Sequence, residues 1–263
     1  MQGRFKSGAS RSVLFGTVRA AVLTFLALAP AACASAGAKE AGAVTAKEMQ
    51  TIDAEAAAQV EAYFGAPFSE QPKITIAENR AAFNAAFPPE WGMSETECWM
   101  VGVGVADFLV VLSPSAWAAE ACEHDGSDRA EVKRIVAHEL THTYHGQRNP
   151  TRDFTGAESL SWFIEGLATS VAEPEIDGRR ARVVAAFNKG TAPAKLEAVW
   201  SGDTRYQMAG LLVDYIDQKW GRKKIIELLP AVTQEDALKI LGIGEDELLS
   251  DFRAWASAGA ENK

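Results

Sequence analysis

Two histidines four residues apart lie in a stretch whose apolar residues repeat with helical spacing, and this combination constrains the fold most. Four apolar residues recur at i, i+3, i+4 and i+8, the spacing of a buried helix face: Val132, Ile135, Val136 and Leu140. Asp128, with Glu131 three residues later, resembles a capping box before them, and Gly146 and Asn149-Pro150 follow. The sequence therefore predicts one helix that holds both histidines on the same face, one turn apart.

The histidines belong to the segment His138-Glu139-Leu140-Thr141-His142, which has the H-E-x-x-H pattern. Two imidazoles at this spacing can bind one zinc ion with near-tetrahedral angles. Glu139 follows the first histidine directly, so it would lie beside the metal as a base that takes a proton from water. A helix with two surface histidines has the same pattern. The metal is favoured because three of the four histidines in the chain fall on this helix.

A third ligand is predicted in the next helical segment, Trp162-Phe-Ile-Glu165-Gly166-Leu-Ala168. A carboxylate from a second helix would approach the ion from another direction and leave a fourth position for water. Gly166 and Ala168 are small, so this helix could pack closely against a neighbour. A solvated surface charge is the alternative for Glu165. His145 is an alternative ligand, but it lies about 10.5 Å from His138 along the helix axis, which strains a tetrahedral site.

The order of the remaining elements is that of an α+β protein, with a small N-terminal sheet followed by a helical bundle. Short runs rich in β-branched residues predict strands, the last two as a hairpin: 73–77, 99–105 and 108–112. Helical spacing predicts the other main elements: 46–64, 80–87, 160–173, 179–188 and 206–220, with shorter helices up to 256. We expect a lead-in and helix over 37–72 and a main domain over 73–258.

The first 36 residues are typical of a secretory signal. A positive start with Arg4, Lys6 and Arg11 precedes a short apolar run, and Ala34-Ser35-Ala36 offers a cleavage site. We expect export to the periplasm or the medium, with the mature chain starting near Gly37. An uncleaved membrane anchor and a lipoprotein acylated on Cys33 are the alternatives, and once the signal is cleaved the protein would be held on a membrane only if Cys33 is lipidated.

The net charge of the mature chain bears on its binding partners, and its cysteines bear on a disulfide. Removing the signal takes away four basic residues and no acidic one, so the formal net charge changes from −9 to −13. Such an acidic body argues against nucleic acid as a partner. Cys98 and Cys122 remain as an even pair in an exported chain, which favours a disulfide over two buried free thiols.

The sequence resembles the gluzincin metallopeptidases, specifically the peptidase MA-like domains of bacterial exported proteins. The resemblance is carried by two segments together, His138–His142 (HELTH) and Trp162–Ala168 (WFIEGLA). In that group the two motifs are followed by a third helix, which starts with tyrosine and ends before a glycine. The segment from Tyr206 to Gly221 has this pattern. The resemblance covers about residues 73–255. It implies a zincin-like fold with Zn²⁺ bound by His138, His142 and Glu165, and with Glu139 as the base.

The resemblance also implies a cleft beside a sheet edge, where a peptide adds as an extra strand. Residues 99–112 are the candidates for this edge. The G-x-M-E-N motif of aminopeptidases has no counterpart, because Gly102 to Asp107 contains no glutamate. We therefore expect an endopeptidase acting on a peptide or protein. Tyr206 is the first candidate for a transition-state donor, with Tyr144 and His145 as alternatives and a packing role for Tyr206 equally open.

Two other functions fit the same residues. One is a degenerate zinc-bearing domain that binds peptides or envelope partners without cleaving them. The other is an exported interaction protein without metal. The intact Glu139 favours catalysis, because a binding domain needs no base at that position.

Overall fold

The computed structural model describes residues 42–261. The predicted signal sequence and Cys33 lie outside this range. Within it, no helix combines the length and apolar character needed to cross a membrane.

The described residues form a mixed α and β fold that is mostly helical, which confirms the α+β class. Ten α-helices are present in this range: α1 Ala46–Phe64, α2 Arg80–Ala85, α3 Pro114–Glu120, α4 Arg129–Gly146, α5 Ser161–Ala172, α6 Ile176–Lys189, α7 Arg205–Trp220, α8 Arg222–Leu228, α9 Gln234–Leu241 and α10 Glu245–Glu261. Short 3-10 helices lie at Pro89–Trp91, Glu158–Leu160 and Leu196–Ala198.

The sheet has three strands: β1 Thr75–Ala77, β2 Gly102–Val105 and β3 Phe108–Leu112. The predicted hairpin is present, because β2 pairs antiparallel with β3 through Val103 opposite Val110. β1 lies on the other side of β3 and runs parallel to it, so the order is β1-β3-β2. β3 is therefore the central strand of the sheet. Its residues Leu109–Leu112 are buried, because strands flank it on both sides and helices cover it.

Helix α1 has strong signals at both ends. Thr45 and Glu48 form a reciprocal capping box at its start, and Gly65 adopts a left-handed conformation after its end. The helix packs on α4, where the ring of Phe64 stacks on Tyr144 with centroids 4.0 Å apart. The described residues from Ala43 onward form one compact unit.

Helices α4, α5 and α7 pack side by side and carry most of the residues discussed below. Gly166 explains the close approach of α5 to α7. A Cβ atom at this position would lie 2.5 Å from the backbone oxygen of Ala209, too close for any side chain. The small residue noted in the sequence thus fixes the distance between these two helices.

Cys98 and Cys122 are joined by a disulfide, as predicted. The bridge links the segment that leads into β2 with the segment that leads into α4. Arg80 supports the same region, since its guanidinium donates to the carbonyl oxygens of Cys98 and Glu120 at 3.2 and 2.8 Å. The bridge and these hydrogen bonds hold the sheet against the helix that carries the two histidines.

Candidate metal centre

Helix α4 presents its two faces as the sequence predicted, except that Ile135, which was expected on the buried face, is partly exposed. Val132, Val136 and Leu140 are fully buried on one side. His138 and His142 lie on another side, one turn apart, with their rings nearly perpendicular and 4.8 Å between centroids. The Asp128 carboxylate caps the helix by accepting from the backbone N–H groups of Ala130 and Glu131.

Glu131 does not complete the capping box that the sequence suggested. Its carboxylate binds Nδ1 of His124 at 2.8 Å and accepts from the backbone N–H of Asp125. The fourth histidine of the chain is therefore used in the loop before α4, where its Nε2 also lies 2.9 Å from the carbonyl oxygen of Trp99.

Helix α5 brings Glu165 to the two histidines. Glu165 Oε2 lies 3.3 Å from His138 Nε2 and 3.6 Å from His142 Nε2, and the two nitrogens are 3.1 Å apart. Two ligands bound about 2.0–2.2 Å from a zinc ion at a tetrahedral angle are about 3.3–3.6 Å apart. The three atoms therefore form a triangle of the size that one such ion requires.

The electrostatics of the triangle also favour a cation. Burial alone would raise the pKa of Glu165, but the charges and hydrogen bonds of His142 and His138 lower it below its ordinary value. The carboxylate therefore stays ionised beside the histidines. Between them, the two imidazoles and the carboxylate can offer three lone pairs to one point, which is the donor set of a bound metal.

Glu139 lies beside this triangle, under strand β2. A Cβ atom at Gly102 would come 2.7 Å from Glu139 Cγ, and one at Gly104 would come 2.3 Å from the Glu139 carbonyl oxygen. The two glycines therefore allow the strand to lie directly on this turn of α4. Burial raises the pKa of Glu139, although His138 and His142 oppose the shift, so the group can both accept and release a proton.

The glycines were not recognised as part of the site from the sequence. Two glycines separated by one residue within a strand are a usable signal, because they mark a place where another chain segment approaches closely. In this protein the approaching segment is the turn that carries Glu139.

Strand β2 is at the edge of the sheet, with β3 on one side and no strand on the other among the described residues. The candidate edge 99–112 must therefore be narrowed to Gly102–Val105, because Phe108–Leu112 is the central strand. The backbone N–H of Leu112 donates to the Val101 carbonyl, so by alternation the N–H and C=O groups of Gly102 and Gly104 point away from β3.

Tyr206 lies at the site, in the first turn of α7. Its ring centroid is 6.2 Å from that of His138. Burial raises the pKa of its hydroxyl to about 12, and the charges of Glu165 and Glu139 act in the same direction while Arg205 opposes them. The hydroxyl therefore keeps its proton at neutral pH and can donate a hydrogen bond.

Tyr144 and His145 lie elsewhere, although they share helix α4 with the two histidines. The Tyr144 ring is buried between Phe64 and the guanidinium of Arg148. His145 is fully buried, and its Nε2 lies 3.0 Å from the carbonyl oxygen of Leu229. The structure thus brings together His138, His142, Glu165, Glu139 and Tyr206, and it separates the two alternatives from them.

The pKa of His145 is lowered to about 3, first by burial and then by His142, so its imidazole is neutral. Phe154 fills the space between the two rings, with centroids 6.1 Å from His142 and 4.8 Å from His145. Its backbone is in the left-handed region, with a φ of 61°, which is costly for an aromatic residue. Nothing in the sequence indicated this position.

Comparison with known proteins adds no relative from which this arrangement could be assigned: no family model, no curated protein and no solved structure matches the chain.

Proposed function

We propose that the protein is a zinc-dependent peptidase of the gluzincin type, with a zincin-like arrangement of the sheet and of helices α4 and α5. One observation carries the proposal: Nε2 of His138, Nε2 of His142 and Oε2 of Glu165 form a triangle with sides of 3.1–3.6 Å. His138, His142 and Glu165 would hold the ion and leave a position for water or substrate, as catalytic zinc sites do.

A bound zinc ion would supply Lewis acidity, which lowers the pKa of water and polarises a carbonyl group. Glu139 would take a proton from the attacking water and then deliver it to the leaving nitrogen. The Tyr206 hydroxyl would donate to the oxygen that becomes negatively charged.

The edge of β2 gives the substrate a place to bind. The Gly104 N–H interacts with the Glu139 carboxylate, and the outward N–H and C=O of Gly102 and the C=O of Gly104 could pair with an extended peptide lying over Glu139. Such pairing brings an interior peptide bond to the base without a requirement for a free terminus. This supports an endopeptidase acting on a peptide or protein.

We also infer that the protein works after export, in the periplasm or outside the cell. The disulfide between Cys98 and Cys122 supports this location, because such bridges persist in oxidising compartments. The same protein would then meet exported or envelope polypeptides as substrates.

The test uses the chain from Gly37 onward, with its disulfide intact. We expect about one zinc per chain by metal analysis and cleavage of a broad peptide library. Glu139→Gln should keep the zinc and lose activity by at least about 100-fold, since general acid–base catalysis contributes 10²–10⁴. Glu235→Gln removes an exposed carboxylate on α9 and should change neither quantity.

Each outcome separates the candidate functions. Full activity in Glu139→Gln would refute the mechanism. Zinc binding without cleavage by the unmodified protein would favour a degenerate domain that only binds peptides. Absence of zinc from the folded protein would refute the metal centre and favour an interaction protein.

A further inference from the structure

Next to the metal centre, Arg205 and Trp200, which the proposed reaction does not use, lie against the ring of Tyr206. The Arg205 guanidinium carbon is 5.1 Å from the centre of the Tyr206 ring and 5.7 Å from that of Trp200. The two rings meet edge to face, with centroids 4.7 Å apart. Because Tyr206 is itself 6.2 Å from His138, this group borders the cleft.

Arg205 is partly buried, but it has no counter-ion. No carboxylate oxygen among residues 42–261 lies within 4.0 Å of its guanidinium nitrogens. The planar group lies against two rings and also makes a side-chain hydrogen bond with Tyr206, and its remaining N–H donors are left for a ligand.

The charge around the cleft points to the sign of that ligand. With zinc bound, the two positive charges of the ion would be balanced by Glu165 and Glu139. Arg205 would then leave a net positive charge on the α7 side of the cleft. Arg205 is also the first residue of α7, and the N-terminal end of a 16-residue helix adds partial positive charge.

From this geometry we propose that Arg205, positioned by Trp200 and Tyr206, binds a carboxylate of the substrate close to the bond that is cleaved. The inference rests on the proposed peptidase function and makes the preferred substrates acidic peptides. An aspartate or glutamate side chain and a C-terminal carboxylate offer the same chemistry to the guanidinium, which can grip either with two parallel hydrogen bonds. The overall negative charge of the protein repels such peptides, so a local cation is needed to select them.

The experiment uses zinc-loaded protein and sets of matched peptides that cover both sources of the carboxylate. One set replaces Asp and Glu near the cleavage site by Asn and Gln, and the other replaces the C-terminal acid by an amide. We expect kcat/KM to be about 10- to 100-fold higher for the acid than for its amide, the range of one charged hydrogen bond. The set that shows the ratio identifies the source of the carboxylate.

Arg205→Gln should bring this ratio close to 1, and Arg205→Lys should restore part of it, because lysine keeps the charge but not the planar fork. Arg182→Gln is the matched control, since it removes one positive charge from an exposed position on α6 and should leave the ratio unchanged. Zinc content and far-UV circular dichroism show whether each variant folds. A ratio near 1 in the unmodified protein, or an unchanged ratio in Arg205→Gln, would overturn the proposal.

Peptide binding measured with the same sets separates this inference from the proposed function. Tighter binding of acids without any cleavage supports Arg205 as the binding residue and refutes the peptidase. Cleavage without preference for acids refutes only the role of Arg205. If the protein shows neither cleavage nor acid-dependent binding, the peptidase function and the role of Arg205 are both refuted.

Discussion

Helix α5 contributes to two clusters of charged side chains, and they differ in whether the chain itself completes them. In the first, Glu165 faces two imidazoles at 3.3 and 3.6 Å. In the second, Ser170 donates at 2.5 Å to Asp214, whose other oxygen lies 2.7 Å from Arg179. The second cluster is almost fully buried, whereas the Glu165 side chain in the first is 27 % exposed.

The second cluster is closed, because Arg179 supplies a permanent positive charge and also donates to the Glu173 carbonyl. The first is open, because histidine carries no permanent charge, so the charge of Glu165 is balanced only when the imidazoles are protonated or when a cation is bound. A buried charge without a partner is costly, and a protein normally supplies one. The comparison therefore distinguishes the Asp214–Arg179 pair, which we expect to stabilise the fold, from the Glu165 cluster, which we expect to bind a metal ion.

The largest effect is expected from removing the carboxylate of the open cluster. Glu165→Ala should lower zinc affinity by more than the 10- to 100-fold that follows loss of an outer-shell partner, because a direct ligand is lost. His145→Ala is the control on the neighbouring helix and should leave zinc per folded chain near normal. Titration with a competing chelator measures both. Zinc loss in His145→Ala but not in Glu165→Ala would reverse the ligand assignment.

Mutation of the closed cluster, Asp214 and Arg179, should change the stability of the protein rather than its metal binding. Arg179→Met leaves Asp214 buried and unpaired, and we expect the free energy of unfolding to fall by about 3–5 kcal/mol. The exposed pair of Lys219 and Asp251 provides the control, since Lys219→Met should cost about 1 kcal/mol or less. Urea unfolding of zinc-loaded protein measures both changes. A loss in Arg179→Met no larger than in the control would show that the pair contributes little.

The smallest effect is expected at the boundary of the open cluster. Tyr206→Phe removes one hydroxyl and should lower kcat by about 10- to 100-fold with little change in KM, because the bond forms only in the transition state. Steady-state kinetics on a peptide that the unmodified protein cleaves decides this. An unchanged kcat would assign Tyr206 to packing against Trp200 and His138.

Local signals in the sequence predicted most helices and the hairpin. Helix α4 followed from its apolar spacing and the capping Asp128, and α1 matched from Ala46 to Phe64 because both of its ends carry strong signals. Helix α3 was not predicted, because it is short and its first residue, Pro114, gives only a weak signal of a start. The parallel pairing of β1 with β3 was also missed, since it joins strands 35 residues apart.

Prediction of the candidate site from the sequence was limited in the same way, because local spacing does not report contacts made after folding. Sequence spacing could place His138 and His142 on one face, but it could not tell which way Tyr144 and His145 would point. Their positions depend on Phe64 and Leu229, which come from distant parts of the chain, and on Phe154 in the loop after the helix. The role of Gly102 and Gly104 likewise emerges only when β2 is packed on α4.

The two glycines of β2 have a practical consequence for altering what the protein recognises. A strand that presents only its backbone cannot distinguish one side chain from another, so this wall of the cleft would accept many sequences. A side chain introduced at Gly102 or Gly104 would displace the strand from Glu139 before it could improve selectivity. Attempts to redesign specificity should therefore leave this strand intact and vary the residues around Trp200 and Arg205.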